Sequence, residues 1–208
     1  MRLETKEYII SEADKLFCQF GFKSVTMDDI ARQLGISKKT IYQHFTDKND
    51  LVNVLMEARF SNHDCDIKMY AKHGYDAIHE VLLGLDDINE WLITLNPKLF
   101  FDMQKYHPDT WLKFMQFKEE SLAIGITENM KRGIKEGIYR NDIHIPILTE
   151  LRLAHTQLIF NEYNAYNKNK YSIPQVMKEM TQHFLFGIVT DKGKIVLEKY
   201  INEQLIKQ

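Results

Sequence analysis

The stretch from Thr26 to Phe45, TMDDIARQLGISKKTIYQHF, admits few folds, because its caps, apolar spacing and single glycine prescribe two short helices joined by a tight turn. Thr26 followed three residues later by Asp29 reads as an N-cap with an approximate capping box, Asp standing where Glu or Gln is usual. Ile30, Ala31 and Leu34 recur at helical spacing, and Gly35 stands where a chain leaving a helix takes a positive φ. A second helix restarts after Ser37. Ile41 and Phe45, four apart, face inward, while Lys38, Lys39, Thr40, Tyr42 and His44 fall on the other faces. Such an outward face of cations, hydroxyls and an imidazole suits the phosphates and base edges of double-stranded DNA.

A lone pair of short helices with solvated lysines is more often an ordinary hairpin, and the flanks argue against that reading. Residues 4 to 20 form another amphipathic helix, with Ile9, Ile10, Ala13, Leu16, Phe17 and Phe20 on one side and Gly21 closing it. Downstream, Asp47 or Asn49 caps a further helix carrying Leu51, Val52, Leu55 and Met56. Three helices packed around the turn, followed by a long exit helix, compose a small DNA-binding domain.

The segment FCQFGFKSVTMDDIARQLGISKKTIYQHFTDKNDLV resembles the N-terminal domain of the TetR (tetracycline-repressor) family of bacterial transcription regulators. The likeness covers about the first quarter of the chain by motif. It is carried by Phe20, Gly21, Phe22, Thr26, Ala31, Gly35, Ile36, Ser37, Tyr42, Phe45 and Lys48. What the resemblance implies is an all-α protein, with a helix-turn-helix domain over 1–47 and a helical regulatory and dimerisation domain over 48–208. It also assigns Tyr42 and Lys48 to phosphate contacts. Lys39 occupies a position that is often Gly in such proteins, so it either adds a contact or extends into solvent. Lys38, Thr40 and His44 complete the expected DNA face, together with Ser37 and with Thr26, whose backbone amide lies at a helix N-terminus.

Charge supports this placement only through its distribution. The chain of 208 residues carries a formal net charge of −2, and residues 1 to 60 hold nine Lys+Arg against nine Asp+Glu. From Ile30 to Lys48, however, Arg32, Lys38, Lys39 and Lys48 face only Asp47, a net +3 at the expected DNA surface. So few cations predict few neutralised phosphates per subunit, and an affinity that depends on two subunits binding together.

The 44% hydrophobic content suffices for two modest domains. No apolar run has spanning length and MRLETKEY lacks a signal-peptide core, so a cytoplasmic location is expected. In that setting Cys18 and Cys65 default to reduced thiols. No Gly-rich phosphate loop, paired-carboxylate or nucleophile motif appears, so neither an enzyme nor a cofactor is expected. No metal site is expected either: His63-Asp64-Cys65-Asp66 are consecutive and point in different directions on a helix, although His63 and Asp66, three apart, have the spacing to share an ion.

Beyond residue 48 the pattern is helix after helix, broken at Lys72 to Gly74, Asn96-Pro97, His107-Pro108, around Gly137 to Ile145, and at Tyr171 to Pro174. The predicted elements are Tyr75 to Leu95, Lys98 to Lys105, Thr110 to Glu136, Ile147 to Asn167, Gln175 to Val189 and Ile195 to Leu205. The pair 147–167 and 175–189 carries apolar stripes (Ile147, Leu148, Leu151, Ala154, Leu158 and Ile159; Val176, Met177, Met180, Phe184, Leu185 and Ile188). Periodicity alone does not separate core packing from a subunit interface. The family resemblance implies a homodimer through these helices, reading a palindromic operator with recognition helices about one DNA turn apart, ~34–36 Å, or a repeat of it.

Between Trp91 and Phe117 the chain concentrates Trp91, Phe100, Phe101, Met103, Tyr106, Trp111, Phe114, Met115 and Phe117. Such residues pack cores more often than they line cavities. As a candidate site they suit a small, largely apolar effector, for which we take Trp91, Phe100, Phe101, Met103, Trp111, Phe114 and Met115. The leading function is a ligand-responsive DNA-binding repressor. The alternative is a ligand-independent regulator, or an interaction module governed by a protein partner.

Overall fold

A computed structural model describes the backbone of residues 5–94, 98–162 and 171–206, and the side chains of residues 5–88, 98–155 and 171–203. The described residues form helices with no strand; the sole ladder-like pairing among them is an isolated antiparallel bridge between Tyr139 and Val189. The order is α1 Thr5–Phe20, α2 Met27–Leu34, α3 Lys38–Tyr42, α4 Lys48–His73, α5 Ala77–Thr94, α6 Lys98–Tyr106, α7 Pro108–Phe117, α8 Ala123–Lys135, α9 Ile145–Glu162, α10 Ile173–Ile188 and α11 Asp191–Ile206.

Two compact units are present. One comprises Met1–Asn62 and Thr94–Gln116, the other His63–Ile93 and Phe117–Gln208. In the first unit α6 and most of α7 group with the N-terminal helices. In this first unit Ile9, Ala13 and Phe17 of α1, Ile30 of α2, Ile41, Phe45, and Leu51 and Val52 of α4 are buried. Gly21 (φ 83°) turns the chain out of α1, and Phe22 packs its ring edge-on to Phe17 at 5.1 Å. Arg59 of α4 pairs with Asp14 of α1. Asn53 accepts the Thr110 hydroxyl proton and Glu57 pairs with Lys113, tying α4 to α7.

The second unit is organised around Arg132 of α8. Its guanidinium pairs with Glu80 at 2.9 Å and Glu136 at 2.7 Å, and donates to the carbonyls of Ala71 and Gly74 where α4 ends. A cation there satisfies carbonyls left without helical partners. Beside it Asn129 donates to the Ala77 carbonyl and accepts from the buried Tyr139 hydroxyl. The Tyr139 ring lies on Gly133, where a Cβ would approach to 2.0 Å.

Element starts differ from expectation where caps and prolines were undervalued. Pro108 opens α7, and Ser172 caps α10 through a capping box with Gln175, placing Pro174 in the first turn. Thr190 caps α11, which therefore begins at Asp191 rather than Ile195. The expected helix from Thr110 to Glu136 is α7 and α8 joined through a π-helical stretch, Lys118–Leu122.

Candidate nucleic-acid interface

Local chemistry builds this surface. The Thr26 side chain accepts the Asp29 amide at 3.2 Å, and the Asp29 carboxylate accepts the Thr26 amide at 3.0 Å and its hydroxyl at 2.6 Å, a complete capping box. The hydroxyl first, then the amide, holds the Asp29 carboxyl below its ordinary range. Gly35 adopts φ 65°, and the Ile36 amide reaches back to the Ala31 carbonyl at 3.1 Å, so α2 ends in a left-handed cap. Ser37 caps α3 by accepting the Thr40 amide at 3.1 Å, and the two hydroxyls lie 2.8 Å apart. The recognition helix continues as a turn to Phe45, whose amide bonds to Ile41 at 3.0 Å.

The face predicted to meet DNA is presented as follows. Ile41 and Phe45 are buried, while Thr26, Ser37, Lys38, Lys39 and Tyr42 are exposed and Thr40 and His44 are half-buried. Lys38 is held 2.9 Å from Asp28 of α2, which raises its pKa, so a phosphate must compete with that carboxylate. Its ammonium also lies 6.0 Å from the Tyr42 ring centroid.

Lys48 departs from a simple surface cation. It is half-buried at the start of α4; burial pushes its pKa down, and the charge of Asp102 on α6 opposes that shift. Asp102 is itself buried. Its carboxylate accepts the Lys23 amide in the α1–α2 turn at 2.8 Å, and a Cβ on Gly21 would meet it at 2.9 Å. Next to it His107 is buried edge-on to Phe22 at 5.5 Å, and its Nδ1 has no hydrogen-bond partner. Burial first, then Lys48, lowers the His107 pKa. Sequence reasoning missed Asp28 and Asp102. For Asp102 the signal was an acidic residue on the apolar face formed by Leu99, Phe100 and Met103.

The proposed effector-binding residues are placed unequally. Phe100 and Met103 are buried, Trp111, Phe114 and Met115 half-buried, and Phe101 is 54% exposed with Lys105 over its ring. Phe114 gathers Phe100 at 5.4 Å, Trp111 at 5.3 Å and Phe60 at 5.9 Å. All of these lie in the same unit as the helix-turn-helix. Trp91 belongs to α5, and its side chain is outside the described residues.

For the expected dimer helices, Met177, Phe184, Leu185 and Ile188 of α10 are buried within the chain, whereas Ile147 (61% exposed) and Leu151 of α9 and Phe186 of α10 face outward. Leu158 and Ile159 have undescribed side chains, and 163–167 lie outside the described residues.

This fold and surface define a helix-turn-helix DNA-binding protein. Residues 9–55 match the family model for bacterial regulatory proteins of the tetR family. The chain is 26% identical over 188 residues to the uncharacterized HTH-type transcriptional regulator YvaF of Bacillus subtilis (strain 168), covering 88% of this chain and 95% of that one. The HTH-type transcriptional regulator AcrR of Shigella flexneri is 39% identical over 59 residues, covering 28% of this chain and 27% of its own. A TetR-family transcriptional regulator from Agrobacterium tumefaciens superposes with a TM-score of 0.73 at 19% identity, covering 89% of this chain and 97% of that one. Residues 9–55 thus carry a DNA-binding segment shared with bacterial regulatory proteins of the tetR family, and over most of its length the chain is similar to an HTH-type transcriptional regulator. Among the described residues no helix is long and apolar enough to cross a membrane.

Proposed function

We propose that the protein is a ligand-responsive repressor that binds a palindromic operator as a homodimer and is released by a small, largely apolar effector. Residues 1–47 read the DNA and 48–208 regulate and dimerise. The observation that carries the switch is the junction of α6 with the α1–α2 turn: Asp102 and His107 reach Lys23 and Phe22, two residues of the turn that leads into α2. An effector seated against Phe100, Trp111 and Phe114 shifts α6 and α7, and with them the turn that sets the angle of α2. To change occupancy from mostly bound to mostly free, the effector must favour the released arrangement by several kcal/mol. The apolar class of effector rests on these aromatic residues.

DNA contact falls to Lys38, Lys39, Thr40, Tyr42 and His44, with Thr26 and Ser37 at the helix starts and Lys48 flanking them. Lys48 acts through position as well as charge, given its burial beside Asp102. The exposed Ile147, Leu151 and Phe186 support pairing of α9 and α10 with a second copy, since such side chains gain by leaving water.

Selection from a random duplex pool tests the reading. Recovered sites should be palindromic, and sedimentation at micromolar concentration should return a dimer. A monomer, or sites lacking two-fold symmetry, contradicts it. Strongly charged inducers would contradict the apolar effector.

A further inference from the structure

We propose a divalent transition-metal site formed by His63, Asp66 and Asp87. His63 and Asp66 are one turn apart on α4, and Asp87 comes from α5, so the fold supplies the third ligand that the α4 sequence lacked. One ligand atom from each lies within 4.8 Å of the others, and His63 Nδ1 stands 3.9 Å from Asp87 Oδ2. At metal–ligand distances of about 2.0–2.2 Å, neighbouring ligands on one tetrahedral ion stand ~3.4 Å apart. Closing the cluster therefore asks about an ångström of movement from side chains that are partly exposed and able to turn.

The chemistry of the set selects the ion. Two carboxylates and a neutral imidazole present a charge of −2 and a mixed oxygen and nitrogen environment. An imidazole ligand favours zinc and its first-row neighbours over magnesium and calcium, and three protein ligands leave room for water. Tyr70, one turn beyond Asp66 on the same face of α4, hydrogen-bonds Asp87. A donor of this kind orients a ligating carboxylate. Asp64 is engaged elsewhere, by Lys68 and by Ser121 at 2.8 Å, so it is outside the set.

The test is Zn²⁺ titration of the full chain in competition with a chromophoric chelator, with the Co²⁺ absorption spectrum as a second readout. Expected are one Zn²⁺ per chain and a loss of affinity of at least ~10-fold in His63→Gln and in Asp87→Asn. Tyr70→Phe should lose less, and Asp64→Asn should bind as the native chain does. Co²⁺ bound to the native protein should give bands stronger than those of the aqueous ion. Equal Zn²⁺ affinity in the native chain, His63→Gln and Asp87→Asn overturns the site, as does a Co²⁺ spectrum unchanged from the free ion.

Discussion

The Asp102 carboxylate accepts the Lys23 backbone N–H at 2.8 Å, joining α6 to the turn before the helix-turn-helix across 79 residues of chain. The Lys23 ammonium completes the junction by lying 5.3 Å from the Tyr106 ring centroid. Alanine at position 102 removes an acceptor in a buried setting, and the expected cost is about 1–3 kcal/mol. Asp102→Asn keeps an acceptor and should cost less. Urea unfolding measures both, and equal stability of Asp102→Ala and the native chain would show that the bond does not hold the turn.

Gly133 and Gly187 make opposite predictions. A methyl group at Gly133 would meet the buried Tyr139 ring at 2.0 Å, whereas nothing lies within 4 Å of one at Gly187. Gly133→Ala should destabilise by about 1–3 kcal/mol through overpacking. Gly187→Ala, on α10, should be neutral or stabilise by up to ~1 kcal/mol through helix propensity. Thermal unfolding of the two variants in parallel checks the contrast.

Thr26→Ala removes the α2 cap and should cost about 1 kcal/mol. Thr26→Ser keeps the oxygen that accepts the Asp29 amide and should stay close to native. The comparison is read from the midpoint of chemical unfolding.

His107 gives a pH dependence of definite sign. Its folded pKa is lowered from 6.5 by burial and Lys48, so the unfolded chain takes up the proton first. The stability associated with a neutral His107 is fully present above the unfolded pKa of 6.5 and is lost as pH falls towards the folded value. His155 is lowered too, by burial, Arg152 and His183, and adds to the same slope. His107→Phe should flatten the decline of stability below pH 6.5 without abolishing it. An unchanged slope in that variant would place the proton uptake elsewhere.

The helix-turn-helix was legible because its determinants are local. Thr26, Gly35 and Ser37 act within three or four residues of themselves, and Ile41 and Phe45 declare their face by spacing. Asp102 was not legible, because its partner is the Lys23 amide, which no pattern near residue 102 specifies. Asp28 escaped for a similar reason, since the pairing with Lys38 depends on how α2 and α3 cross. The grouping of α6 and α7 with the N-terminal helices is likewise a matter of long-range packing, as is the arrival of Asp87 beside His63. The starts of α10 and α11 were readable in principle from Ser172 and Thr190; treating Pro174 as a break instead of a first-turn residue hid the former.

Contact between α3 and DNA is tested most directly by the affinity of the selected operator duplex for the native chain and for the double variant Lys39→Ala, Tyr42→Ala, by fluorescence anisotropy across a salt titration. Both side chains are exposed, so their loss leaves the fold in place. Each phosphate neutralised by native lysine releases roughly 0.9 counterions. The native protein should weaken steeply with salt, and the variant should bind about 10-fold or more weakly with a shallower slope. Equal affinity and equal slope in the two proteins would contradict the assignment of this surface to DNA.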